Sequence, residues 1–285
     1  MSLRKVYSEA NSFASGIVGI FSHVRKITMN LKLKIVFFGT PDYLDPVIHS
    51  LNENFELLKI IRSTKEDLNS IIDMKFDLLV VASFGKIIPL NILKLPRLGA
   101  INIHPSSLPK YRGPSPIQSQ ILDGVTESAI SFILMDQEMD HGPILHQEPF
   151  TILENDTFES LCIKMFGKSA EVFPKVINDF ASGKIKPQKQ NHLDASFSIT
   201  LEKEDGYFEI DTPPNEEKLN RMIRAYYPWP GVWTKWNNKI VKFLPSFRHS
   251  ERSEESKYLL QMEGKNPITL KEFLNGHADF PLKDI

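Results

Sequence analysis

The chain has 285 residues with 34 Lys and Arg against 35 Asp and Glu, a formal net charge of −1, and is 41% hydrophobic and 24% charged. That composition excludes a collagen-like or disordered polymer, and a single cysteine, Cys162, excludes a disulfide scaffold and fits a reducing, cytoplasmic compartment. Balanced charge gives no global attraction to phosphate, so any nucleic-acid contact has to come from local basic patches.

Residues 1–28 differ in character from the rest of the chain. A basic start (Met1 to Lys5) leads into a short apolar run, Phe13 to Phe21, with no A-x-A cleavage site. The run is too short to span a membrane, which takes about 20 apolar residues; no later segment qualifies, and no membrane partner is expected. A strong strand begins just after Met29, so Met29 reads as the natural start and residues 1–31 as an extension outside the fold.

Lys34-Ile-Val-Phe-Phe-Gly-Thr40 reads as an apolar strand, followed by a helical stretch from Asp42 to Leu51. Phe55 to Ile61, Asp77 to Phe84 and Ala100 to His104 read as three more strands. Short apolar strands alternating with helical stretches specify βαβ units and a mostly parallel, Rossmann-like α/β sheet. No G-x-G-x-x-G or Walker loop follows the first strand, so a dinucleotide or nucleotide-phosphate cradle is not indicated. Ala129 to Met135 and Pro143 to Gln147 are two further strands around a Gly-containing turn. Asp156 or Thr157 caps a helix carrying Phe158, Leu161, Met165 and Val172 at helical spacing, which Gly167 and Pro174 kink or divide and Gly183 ends. Cys162 falls inside it as a core thiol.

From Lys184 to about Gly206, Pro, Gln, Asn and charged residues dominate, the composition of a domain boundary. The expected division is therefore a catalytic domain over residues 32–205 and a small β-rich domain over 206–285. The latter contains Tyr226-Tyr-Pro-Trp-Pro-Gly-Val-Trp233, a strand pair turning at Asn237-Asn238, and a solvated loop, Arg248 to Ser256, with no apolar residue.

Chemistry concentrates in two places. Asn102 and His104 lie two apart on a strand, so both leave one face at its carboxyl end, where open α/β sheets bind ligands. An amide and an imidazole there make a plausible pair of donors for a developing oxyanion. The second cluster, Met135-Asp-Gln-Glu-Met-Asp-His-Gly142, supplies a carboxylate to orient the histidine: Asp140 first, Asp136 as runner-up. His141 with His104 lacks any recognised metal spacing, so no metal is expected. No G-x-S-x-G elbow accompanies Ser106 or Ser107, which disfavours serine hydrolysis.

At these residues the chain resembles the folate-dependent formyltransferases, from about Lys34 to Leu244. The matching segments are Ile35 to Pro41, Ser83 to Pro89, Leu95 to Pro109, Tyr111 to Pro114, Met135 to Leu145 and Ile223 to Gly231. The resemblance implies transfer of a formyl group from 10-formyltetrahydrofolate, as co-substrate, to a primary amine, that of initiator methionyl-tRNA, without a metal. It assigns catalysis to Asn102, His104 and Asp140, and folate contact to Ser106, Ser107, Leu108 and Pro109. It also implies a shortened, OB-like second domain. The connection Arg62 to Phe76, with Arg62, Lys65 and Lys75, is shorter than the family's usual basic loop, so tRNA contact falls to patches such as Lys110/Arg112 and Arg221/Arg224. Formylation of an amino-sugar nucleotide, or folate binding with impaired catalysis, are the alternatives.

Overall fold

A computed structural model describes residues 32–246 and 258–282; the expectations for residues 1–31 and for the loop 248–256 lie outside the described residues. Six strands form one sheet: β1 (Lys34–Phe38), β2 (Glu56–Ile61), β3 (Leu78–Val81), β4 (Ala100–His104), β5 (Glu127–Leu134) and β6 (Ile144–Thr151), in the order β2-β1-β3-β4-β5-β6. The first four run parallel, whereas β5 is antiparallel to β4 and β6 to β5. The mostly parallel Rossmann-like sheet expected from the sequence is therefore present. Its parallel strands carry apolar residues on both faces because both faces are covered. Ile35, Phe37, Leu78, Val80, Ile101 and Ile103 join one apolar cluster, and Val36, Phe38, Leu79, Val81 and Ala100 join the other. The link between β5 and β6 is only Met135–Pro143, far too short for the crossover that a parallel pair needs, so the chain turns back on itself.

Helices α1 (Asp45–Asn54), α2 (Leu90–Leu93), α3 (Pro116–Leu122) and α4 (Phe158–Ala181) follow the alternation. Thr157 caps α4 with a reciprocal pair to Ser160. Contrary to the division expected at Gly167 and Pro174, α4 is one continuous helix of 24 residues. Pro174 has no N–H for the carbonyl of Ala170. The Ser50 hydroxyl of α1 donates to that carbonyl at 2.6 Å, which removes the penalty of leaving it orphaned.

The second sheet is antiparallel throughout, in the order β10-β9-β8-β7, from β7 (Val232–Trp236), β8 (Lys239–Pro245), β9 (Tyr258–Met262) and β10 (Ile268–Thr269), with α5 (Glu216–Tyr226) before it and α6 (Leu270–Gly276) after it. Asn237 and Asn238, at φ 49° and 57°, turn β7 into β8 as a two-residue hairpin in which both central residues are left-handed. The expected small β-rich unit is there as a four-stranded sheet. One apolar cluster runs from Ile103 and Phe132 through Ile117 of α3 and Met222 of α5 to Val241 and Phe243, so the two sheets share a core.

Candidate active site

The site lies where the sheet's connections diverge. From β1 the chain crosses outward to β2, then back past β1 to β3, and such a switch point leaves a crevice at the strands' carboxyl ends. A cavity of about 730 Å³ occupies it, walled by Pro41 and Tyr43 after β1, by Ser83 to Ile88 after β3, and by Met135 to Asp140 after β5. Val81, Leu93 and Ile103 make part of its lining apolar, and Asn102, His104 and Asp140 face it together.

Alternation along β4 buries Ile101 and Ile103 in one core and turns Asn102 and His104 to the other face. Asp140 is brought to them by the β5–β6 turn. Asn102 Nδ2 donates to Asp140 Oδ1 at 3.0 Å, the Gly113 N–H donates to Oδ2 at 2.8 Å, and His104 Nδ1 lies 3.5 Å from Oδ2. His104 Nε2 donates to the Tyr111 carbonyl at 2.9 Å, and the ring is only 3% exposed. Both ring nitrogens thus face oxygens, the Tyr111 carbonyl at hydrogen-bond distance and the Asp140 carboxylate farther away. Asp136, the runner-up, is engaged elsewhere: its Oδ2 bonds His141 Nδ1 at 2.8 Å, and its Oδ1 accepts the Glu138 N–H.

Two glycines set this geometry. Gly113 sits at φ 113°, a conformation closed to other residues without strain, and aims its N–H at Asp140. At Gly142 a Cβ would lie 1.7 Å from the Leu134 carbonyl oxygen, so only glycine lets the turn close against β5.

Ser106 to Pro109 follow Pro105, which lines the cavity, and are themselves held by bonds within the protein. Ser106 is fully buried; its hydroxyl donates to the Lys110 carbonyl and its own carbonyl accepts from Ser131 of β5. The Leu108 N–H donates to Ser131 and its carbonyl accepts from Gln147 of β6. These contacts fix the loop that presents Tyr111 and Gly113 to the site. The loops Phe84 to Ile88 and Met135 to Met139 wall the cavity alongside.

The segment after Lys184, with the composition of a linker, is a strap across the site. Gln188 exchanges two backbone bonds of 2.8 Å with Ile144, Arg112 and Ser196 to Ser198 form a short ladder, and Gln190 Nε2 donates to the carbonyls of Asp140 and Gly142 at 2.8 and 2.7 Å. Arg112, 3% exposed, donates through Nε and Nη2 to Gln190 Oε1 and through Nη2 to His192 Nδ1. His192 stacks on His141 with ring centres 4.0 Å apart; partial desolvation, then the neighbouring His141 and Arg112, hold its pKa below the ordinary imidazole range. Gln190 lacks the apolar spacing or motif that would have drawn attention to it.

Several other side chains singled out in the sequence are engaged inside the molecule. Arg112 is not a surface patch. Arg221 donates to Glu217 and Leu122, and Arg224 donates to Asn220 and the Asp156 carbonyl. Arg62 bonds Asp42, Asp45 and the Pro41 carbonyl. Cys162 is a buried thiol whose pKa burial pushes up to about 12, an inert core group rather than a nucleophile. Among the described residues no group of three or more His, Cys, Asp or Glu could hold a metal ion, and no helix is long and apolar enough to cross a membrane.

The formyl transferase family pattern matches residues 45–177, and the pattern of the formyl transferase C-terminal domain matches residues 201–257. The chain is 36% identical over 184 residues to a methionyl-tRNA formyltransferase of Roseiflexus castenholzii, covering 65% of this chain and 58% of that one. It is 31% identical over 307 residues to a methionyl-tRNA formyltransferase of Enterococcus faecalis, covering 85% and 96%. Among several such relatives the chain thus spans little more than half the length of some and nearly all of others. The fold is shared with a methionyl-tRNA formyltransferase from Clostridium thermocellum (TM-score 0.63, 19% identity, 83% of this chain and 99% of that one). It is shared equally with a 4-N formyltransferase from Francisella tularensis (TM-score 0.64, 19% identity, 77% and 99%). With a relative above 30% identity matched along nearly its whole length, and both halves of the family pattern in order, the chain belongs to the formyltransferase family.

Proposed function

We propose that the protein transfers the formyl group of 10-formyltetrahydrofolate to the amino group of initiator methionyl-tRNA, in the cytoplasm, and that Asn102, His104 and Asp140 catalyse the transfer. The observation that carries this reading is the convergence of those three side chains on one another at the wall of the cavity. The acceptor is taken from the relatives' names, one of which is matched over 96% of its length.

The cavity suits the donor. Apolar walls from Val81, Leu93 and Ile103 accept a flat ring system, and the loops Phe84 to Ile88 and Met135 to Met139 offer backbone groups along its edge. The donor supplies an activated formyl carbon. The neutral amine attacks that carbon, the carbonyl oxygen takes up negative charge, and the bond to the folate nitrogen breaks as the pair collapses.

Each protein group has a task set by its bonds. Asn102 Nδ2 gives one N–H to Asp140 and keeps the second for the developing oxyanion. His104 holds its Nε2 proton on Tyr111. At 3.5 Å its Nδ1 contact with Asp140 is longer than a well-formed hydrogen bond, so Nδ1 is the nitrogen that can turn a proton toward substrate. Asp140 balances the imidazolium charge and, through water, relays the proton leaving the amine to the departing folate nitrogen.

An amino-sugar nucleotide is the second reading. The short connection after β2, with Arg62 engaged by Asp42 and Asp45, leaves little of the basic loop that a tRNA acceptor calls for. Parallel incubations of the protein and 10-formyltetrahydrofolate with methionyl-tRNA or with 4-amino-sugar nucleotides separate the two. Formylmethionyl-tRNA is the expected product, and formylation of the sugar alone overturns the assignment. His104→Ala is expected to remove turnover while leaving the fold intact.

A further inference from the structure

We propose that Gln190 is a positioning residue for Asp140, so that the strap 188–199 is part of the catalytic apparatus rather than a connection between two units. The inference rests on the catalytic role proposed for Asp140 and not on which acceptor is used.

Asp140 is held at both ends. Its carboxylate is fixed by Asn102, Gly113 and His104, but its backbone is left-handed at φ 51°, a conformation that a non-glycine residue keeps only where its surroundings impose it. Gln190 is the group that imposes it. Its two amide hydrogens go to the carbonyls of Asp140 and Gly142, which flank His141 and are turned to one side of the chain by the left-handed residue. Its carbonyl oxygen accepts twice from Arg112. All four hydrogen-bonding positions of this amide are therefore filled, and at 6% exposure it has no aqueous alternative.

Arg112 completes the clamp. Its own N–H and C=O are in the ladder with Ser196 and Ser198, and it sits between Tyr111, whose carbonyl holds His104, and Gly113, whose N–H holds Asp140. One side chain, Gln190, thereby ties the turn carrying Asp140 to the loop that orients His104. The charged groups around it are Arg112 and Asp140 themselves, with His192 beyond Arg112 and His141, Asp136 and Glu138 beyond that.

Two substitutions test this. Gln190→Met keeps the length and loses all four bonds; Gln190→Glu keeps both acceptor bonds to Arg112 and loses only the donors to the two carbonyls, which covers the case where the methionine variant does not fold. Both are expected to lower kcat by about 10- to 100-fold, as loss of an outer partner of a reacting group does, with KM for the folate donor within about threefold. A merely structural role would lower stability without that split. A crystal structure of either folded variant, which needs no acceptor, is expected to show the Asp140 carboxylate withdrawn from His104 and Asn102. Wild-type kcat in a folded variant, or an Asp140 still in its wild-type position, overturns the proposal.

Discussion

Asp140→Asn is the most informative single change, because the three partners of the carboxylate leave the new amide no neutral solution. Oδ1 accepts from Asn102, while Oδ2 accepts from Gly113 and faces His104. If the amide nitrogen took the Oδ2 place, it would meet the Gly113 N–H at 2.8 Å, donor against donor, and a backbone group cannot turn away. The oxygen must take that place, which sets the new NH2 against Asn102 Nδ2 at 3.0 Å. Asn102 can relieve the clash only by flipping its amide, and the flip takes its second N–H away from the oxyanion. Removing one such donor costs about 10²–10³ in kcat. Removing the charge that balances the imidazolium and relays the proton costs a comparable factor, with overlap rather than addition because these groups act as a unit. We expect kcat to fall by about 10³, roughly 4 kcal/mol of barrier, with KM for the folate donor changed less than about threefold. Initial rates on wild type and variant at matched tRNA concentration, with circular dichroism to confirm the fold, measure this. A folded variant within tenfold of wild-type kcat would refute the reasoning.

Three further outcomes rest on the same geometry. Gly142→Ala places a methyl 1.7 Å from the Leu134 carbonyl and must open the β5–β6 turn, so a lowered Tm and a loss of kcat larger than tenfold are expected on thermal melts and rate assays. Gly113→Ala places a methyl 2.8 Å from Ser198 Oγ at a φ of 113°; about 1–3 kcal/mol of stability should be lost in urea titration, the strap being pushed from the loop. Asp156, 2% exposed, is pushed up by burial but held below the usual carboxylate range by Lys164, the Leu153 N–H and Ser160. A depressed carboxyl stabilises the fold above its unfolded pKa of about 3.9 and loses that contribution as pH falls through the folded value. Asp156→Asn should therefore cost about 1.5–3 kcal/mol at pH 7, with the difference from wild type closing below about pH 4; a pH-independent difference contradicts the assignment.

The convergence of Asn102, His104 and Asp140 was readable because their spacing follows strand geometry: Asn102 and His104 had to share a face, and the acidic turn after an antiparallel neighbour had to reach the same edge. The choice between Asp140 and Asp136 was not readable in the same way, since it depends on Asp136 being taken by His141. The strap was hidden for a different reason. Residues 184–206 are held by a backbone ladder, one buried amide and stacked imidazoles, and none of these has a periodic signature. The continuous α4 was hidden because the group that offsets Pro174 is Ser50, 120 residues upstream of the carbonyl it satisfies. Arg112 could not be read as buried, because charge in a sequence does not reveal its partner: its guanidinium lies on Gln190 and His192 inside the molecule.

The most direct measurement is the mass of methionine released from the tRNA after incubation of wild-type protein with 10-formyltetrahydrofolate carrying a ¹³C-labelled formyl group. The account predicts labelled N-formylmethionine accumulating with time, and none with His104→Ala or Asp140→Asn on the same timescale. Unformylated methionine with wild-type protein that binds the folate donor, or equal labelling by wild type and both variants, would contradict it.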